Sequence, residues 1–147
     1  MVEKVRSKET TYRIMSAIKS KDTNPEKLLG KSLWKLGLRY RKHYNVIGKP
    51  DFVLVAVRIA IFCDGDFWHG NNWKIRGLKN LNSELKSYKS FWKEKILKNI
   101  ARDKAVNKKL KEDGWTVVRF FESTIKKSAE SCAKKVLRIY LKKKTTI

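Results

Sequence analysis

The chain has 147 residues, of which 36 are Lys or Arg and 14 are Asp or Glu, giving a formal net charge of +22. That length suits one domain that buries its own core without disulfide or metal staples, and no apolar run approaches the ~18 residues of a membrane span. An excess of one sign running from Lys4 to Lys144 sets aside an ordinary mixed-charge surface and points to a polyanionic partner, nucleic acid above all.

Cys63 and Cys132 are the only cysteines, and His43 and His69 the only histidines. No CxxC pair or four-ligand spacing is present, which argues against a zinc site and fits a reducing cytosol. Charges at Glu3, Lys4 and Arg6 leave no apolar leader at the start. A cytoplasmic protein of one domain over 1–147 is expected, with residues 1–11 and 142–147 as tails.

Tyr12, Ile14, Met15 and Ile18 recur at helical spacing and predict a short amphipathic helix, in which Met15 reads as flexible core filler. Thr23, Asn24, Pro25 and Glu26 then form a helix start, since Thr23 or Asn24 caps, Pro25 is harmless in a first turn and Glu26 complements the dipole. The predicted helix buries Leu28, Leu29, Leu33 and Leu36 and stops at Gly37. Capping is the plain role of Glu26, although a carboxylate pinned there is also placed to order a metal-bound water. Arg39 to Tyr44 is a basic, aromatic edge or loop suited to phosphates; His43 within it has no acidic neighbour and lacks the setting of a catalytic base.

Phe52 to Val57 and Ile59 to Cys63 are apolar runs separated by Arg58, a hairpin pattern that Lys49, Pro50 and Asp51 introduce. Alternation puts Ile59, Ile61 and Cys63 on one face of the second strand, and Ala60, Phe62 and Asp64 on the other. Asp64, Asp66 and His69 follow within six positions, on a loop that a sheet can hold rigidly. Carboxylates converging from Asp51, Asp64 and Asp66 call for a shared cation. Phe67 and Trp68 diverge in direction, so at least one is expected at the surface for stacking on bases; the alternative is that Trp68 anchors the loop.

Residues 71–87 read as a polar, irregular loop facing substrate. From Tyr88 to Glu112 the pattern is helical, with Tyr88, Trp92, Ile96, Ile100, Phe91, Val106 and Leu110 as the apolar stripe. Asn99 and Asp103 lie beside it and are expected to tie the helix to a neighbour. Trp115 to Phe121 is a third strand carrying Arg119, and a final helix is predicted from Thr124 to Leu141. The order is α/β, with a small sheet flanked by helices.

Five motifs in order resemble the very short patch repair (Vsr-like) DNA mismatch endonucleases of the PD-(D/E)xK restriction-endonuclease-like superfamily. They are Met15 to Glu26, Gly48-Lys-Pro-Asp51, Ile61 to Gly70, Phe91 to Asp103 and Gly114 to Glu122. The resemblance implies a restriction-endonuclease-like core and nicking of double-stranded DNA beside a T·G mismatch with one or two Mg²⁺. It makes Asp51 the principal metal ligand, the backbone carbonyl of Cys63 a second, His69 the general acid or base, and Glu26 an organiser of water. Met15, Phe67 and Trp68 match wedges into the base stack; Lys49, Arg39, Arg41 and Asn99 are the further DNA contacts expected.

Two departures stand out. Position 64 is Asp where better-known members have histidine, which makes Asp64 a candidate second metal carboxylate and catalytic group, while Phe62 replaces the usual superfamily carboxylate. The family's structural zinc positions carry Asp66, Asn71, Trp73 and Ser123, so no structural zinc is expected and packing by Trp73 is the anticipated substitute. A restriction or defence nuclease with another DNA target, and a non-catalytic DNA-binding module, are the competing readings.

Overall fold

The computed structural model describes residues 23–145. Met15 and the helix expected around it lie outside the described residues. Helix α1 (Asn24–Lys35) starts as anticipated: Thr23 Oγ1 accepts from the Glu26 amide at 3.4 Å, and Glu26 Oε2 accepts from the Thr23 amide at 3.2 Å. This reciprocal box satisfies two amides that a helix start leaves open. Leu29 and Leu33 are fully buried, but Leu28, expected in the core, is 45% exposed. One residue is about 100° around the helix, so Leu28 cannot share the row of Leu29 and Leu33.

Strand β1 (Phe52–Leu54) and strand β2 (Ile59–Asp64) form the antiparallel hairpin. The first is shorter than its apolar run, because Val55–Val57 turns as a 3₁₀ helix and Arg58 closes the bend at φ 53°. Arg41 bridges to Val53 beyond β1, so the basic segment does lie at the sheet edge. Strand β3 (Thr116–Phe121) runs parallel to β2, pairing Phe62 with Arg119 and Asp64 with Phe121, and the sheet order is β1-β2-β3.

The predicted alternation in β2 sorts two cores. Ile59 and Ile61 join Phe52, Leu54, Val118 and Phe120 against Leu29 and Leu33 of α1 and against residues further along the chain. Ala60 and Phe62 face the opposite way, onto Val106 and Leu110. These two belong to helix α4 (Ser90–Glu112), whose residues Trp92 and Ile96 are also buried. Phe91, expected in that stripe, is 47% exposed.

The segment expected as an irregular loop instead contains helix α2 (Asn72–Ile75) and helix α3 (Leu81–Lys86). Asn80 caps α3 by accepting from the Ser83 amide at 2.9 Å, and the fully buried Glu84 accepts from the Trp73 amide at 2.6 Å. The predicted last helix is two, α5 (Glu122–Lys127) and α6 (Ala129–Thr145). Ser128 is extended between them, and its hydroxyl accepts from the Ser131 amide, starting a new helix in place of continuing the old one. Ile125, Cys132, Ala133 and Val136 complete the first core. No described helix is long and apolar enough to cross a membrane.

Gly48 holds the entrance to β1 close to α4. Its φ is +80°, and a Cβ there would stand 2.4 Å from Val106 Cγ1. Gly48→Ala is expected to cost about 2 kcal/mol or more in urea unfolding, through left-handed strain plus overpacking. At Gly37, with φ +85° but nothing within 4 Å, the same change should cost only the strain of about 1–2 kcal/mol.

Candidate active site

The hairpin register brings Asp51 beside the end of β2. Its amide donates to Ile61 O at 2.9 Å, and its Oδ2 accepts from the Cys63 amide at 2.6 Å. Burial pushes the Asp51 carboxyl up from 3.8 to about 7, against the lowering by the Cys63 amide and with further upward pressure from Glu26 and Asp64. Glu26, only 3% exposed, thus serves as a cap and as part of the acidic group. Asp51 and Glu26 line a cleft of about 370 Å³, with Pro50, Tyr44 and Lys49 around it. His43 lines the same cleft.

Asp64 belongs to a second acidic group on the opposite face of the sheet. Arg119 Nη1 donates to both of its oxygens, at 3.0 and 3.2 Å, and approaches Asp103 Oδ1 at 3.5 Å. The guanidinium also donates from Nε to Asn107 Oδ1 at 2.7 Å and lies 3.9 Å from the ring centroid of Phe62. His69 Nδ1 is hydrogen-bonded to Asp103 Oδ2, while its Nε2 lies 3.8 Å from Asp64 Oδ1. Burial would lower the imidazole's pKa, yet Asp103 and Asp64 outweigh it and raise it above the ordinary value. Burial raises that of Asp64, opposed by His69 and Arg119.

Asp64, His69 and Asp103 offer ligand atoms within 4.8 Å of one another, a spacing that suits a metal ion. Arg119 already places a positive charge on both carboxylates. Among the described residues no comparable ion pair reaches Asp51 or Glu26. Asp51, half-buried, has its carboxyl raised beside Glu26, a setting in which a nearby positive charge would favour the ionised form.

Asp103 fulfils the expected tie between α4 and a neighbour, and Asn99 does so by donating to Trp68 O at 3.1 Å. Arg119 and Asn107 were not singled out from the sequence. Their signal is the period of each element: β3 carries Arg119 on the face of Phe62 and Asp64, and Asn107 follows Asp103 by one helical turn. A guanidinium in an apolar strand requires such partners.

Phe67 and Trp68 are both half-buried, so neither stands fully at the surface as expected of at least one. They pack on each other at 5.0 Å and on Trp92 at 5.9 and 5.8 Å, so the loop is held by an aromatic cluster. Lys95 lies 4.9 Å from the Trp68 centroid. The other tie of this loop is polar. Asp66 accepts from Asn71 Nδ2 at 2.8 Å, from the Ser123 amide at 3.0 Å and from the Ser123 hydroxyl at 2.6 Å. Trp73, the anticipated substitute at these positions, takes no part and instead donates its amide to Glu84.

Comparison with known proteins accords with this arrangement. A family model described as DNA mismatch endonuclease Vsr matches residues 3–75. The chain is 43% identical over 129 residues to a type II nicking enzyme of Neisseria meningitidis serogroup C, covering 87% of this chain and 84% of the relative. The chain belongs to the Vsr family of DNA mismatch endonucleases. A type II nicking enzyme of Haemophilus parainfluenzae is 42% identical, covering 88% and 89% of the two chains. The DNA mismatch endonuclease Vsr of Escherichia coli K12 is 35% identical over 83% and 75%. The small mixed sheet with helices on both faces is consistent with the restriction-endonuclease-like core expected of a Vsr-family protein.

Asp66→Ala should remove three hydrogen bonds at once and leave the Ser123 amide without its acceptor. A loss of about 2–3 kcal/mol in urea unfolding is expected, and Asn71→Ala, which breaks one bond, should cost about 1 kcal/mol.

Proposed function

We propose that this Vsr-family endonuclease nicks double-stranded DNA beside T·G mismatches with the help of Mg²⁺. The observation that carries the nuclease chemistry is the half-buried Asp51 carboxyl, fixed by the Cys63 amide beside Glu26 and raised to about 7. Asp51 and the backbone carbonyl of Cys63 would hold the ion, with Glu26 ordering its water and Asp64 adjoining. When bound, a divalent ion polarises a scissile phosphate and lowers the pKa of the attacking water.

The chain's own groups do the rest. Asp103 accepts at Nδ1 of His69, fixing the ring so that Nε2 is the atom that takes or gives a proton. Arg119 holds Asp64 and Asp103 in place. Lys49, Arg39 and Arg41 would position phosphates, and Phe67 and Trp68 would leave their aromatic cluster, or lend its edge, to the disturbed base pair. Action on chromosomal DNA assigns the protein to the bacterial cytoplasm.

A restriction or defence role with another target is the second reading, favoured by Asp64 and Arg119 beside the recognition loop and by relatives named type II nicking enzymes. Otherwise identical duplexes, one fully paired and one with a single T·G pair, separate the two. Selective, Mg²⁺-dependent nicking of the T·G duplex is expected; equal cutting would support the second reading.

Asp51→Ala is expected to abolish nicking while DNA binding is retained, and surviving cleavage would overturn the site. Asp103→Asn should lower the single-turnover rate about a hundredfold or more by releasing the His69 ring, with little effect on DNA affinity.

A further inference from the structure

Glu26 lines two clefts. Besides the one it shares with Asp51, it borders a larger cavity of about 470 Å³ between α1 and the sheet edge. Lys27, Lys31 and Lys35 form one wall, four residues apart and therefore in a row along the helix, at about 6 Å per step. All three are exposed, and among the described residues none is ion-paired. Among the described residues Glu26 is the sole acidic side chain lining the cavity.

The rest of the cleft is rigid. Phe52 and Tyr40 line it edge to face at 4.6 Å, and Trp34 borders it at 52% exposure. The Arg39 guanidinium lies 3.7 Å from the Trp34 ring centroid and donates to the Trp34 carbonyl at 2.9 Å, which fixes that wall and adds a positive charge to it.

We infer that this cleft holds the sugar–phosphate backbone of the cleaved strand on one side of the scissile bond, the strand running from Asp51 past Glu26 and along the lysine row of α1. The inference rests on the endonuclease reading above and adds a defined path for one strand. A row about 12 Å long corresponds to about three to four phosphate steps of one strand, at ~3.4 Å of duplex axis each.

The test uses Asp51→Asn protein, which binds without cutting, with and without the combined Lys27→Ala, Lys31→Ala and Lys35→Ala changes. Affinity for the T·G duplex is measured across a salt series, and single phosphates flanking the nick are replaced by neutral methylphosphonates. The lysine changes should reduce the slope of log affinity against log salt by about 2–3. They should also erase methylphosphonate sensitivity at consecutive phosphates on one side of the nick. Thermal unfolding should be unchanged, because the three side chains are exposed. DNA binding with an unaltered slope, or sensitivity lost evenly on both sides, would overturn the cleft assignment alone. No DNA binding by the unsubstituted protein would overturn the endonuclease reading along with it.

Discussion

The structure turns on how a chain of net charge +22 buries carboxylates at one end of a three-stranded sheet. On the α4 face, Asp64 and Asp103 surround the guanidinium of Arg119, whose remaining donor goes to Asn107 and whose plane rests on Phe62. That group is balanced internally. On the α1 side, Asp51 and Glu26 lie together with a backbone amide at each carboxylate and, among the described residues, no ion pair to either. One group is therefore neutralised by a buried ion pair, and the other is not. Low dielectric makes that asymmetry costly in the folded chain and useful for phosphate chemistry.

Asp64, paired with Arg119, faces His69 Nε2 and joins Asp103 in raising the imidazole's pKa. The loop that carries His69 is tied twice, through the Phe67, Trp68 and Trp92 rings and through Asp66 to Asn71 and Ser123. Asp66, Asn71 and Ser123 form a hydrogen-bonded set joining the loop to the start of α5.

Much of this was legible where a local rule acts alone. Thr23 and Glu26 gave the capping box, and alternation along β2 divided its residues between the two cores that the structure contains. Asp64 and His69 were legible as neighbours because one short loop joins them, whereas Asp51, expected to share a cation with Asp64, lies in a separate cleft with Glu26. Arg119 was not, since its partner lies 55 residues away and meets it only through the parallel register of β2 and β3. The helices in residues 72–86 were hidden for a related reason: they are one or two turns long and depend on Asn80 and the buried Glu84 rather than on an apolar period. Ser128 looked like an ordinary helical residue until its side chain took over the cap of α6.

The central claim is that the Asp51 carboxylate lacks an internal counter-charge, and thermal unfolding against pH tests it most directly. Its folded pKa of about 7 lies above the ordinary 3.8, so the stability it contributes is complete below the unfolded value and is lost as pH rises through about 7. His69, also raised, acts in the same sense and must be separated. Without metal, the unsubstituted protein should lose a few degrees more than Asp51→Asn between pH 5 and pH 8, and Mg²⁺ should recover the difference at pH 8 only when Asp51 is present. Parallel curves for the two proteins, with no response to Mg²⁺, would contradict the account.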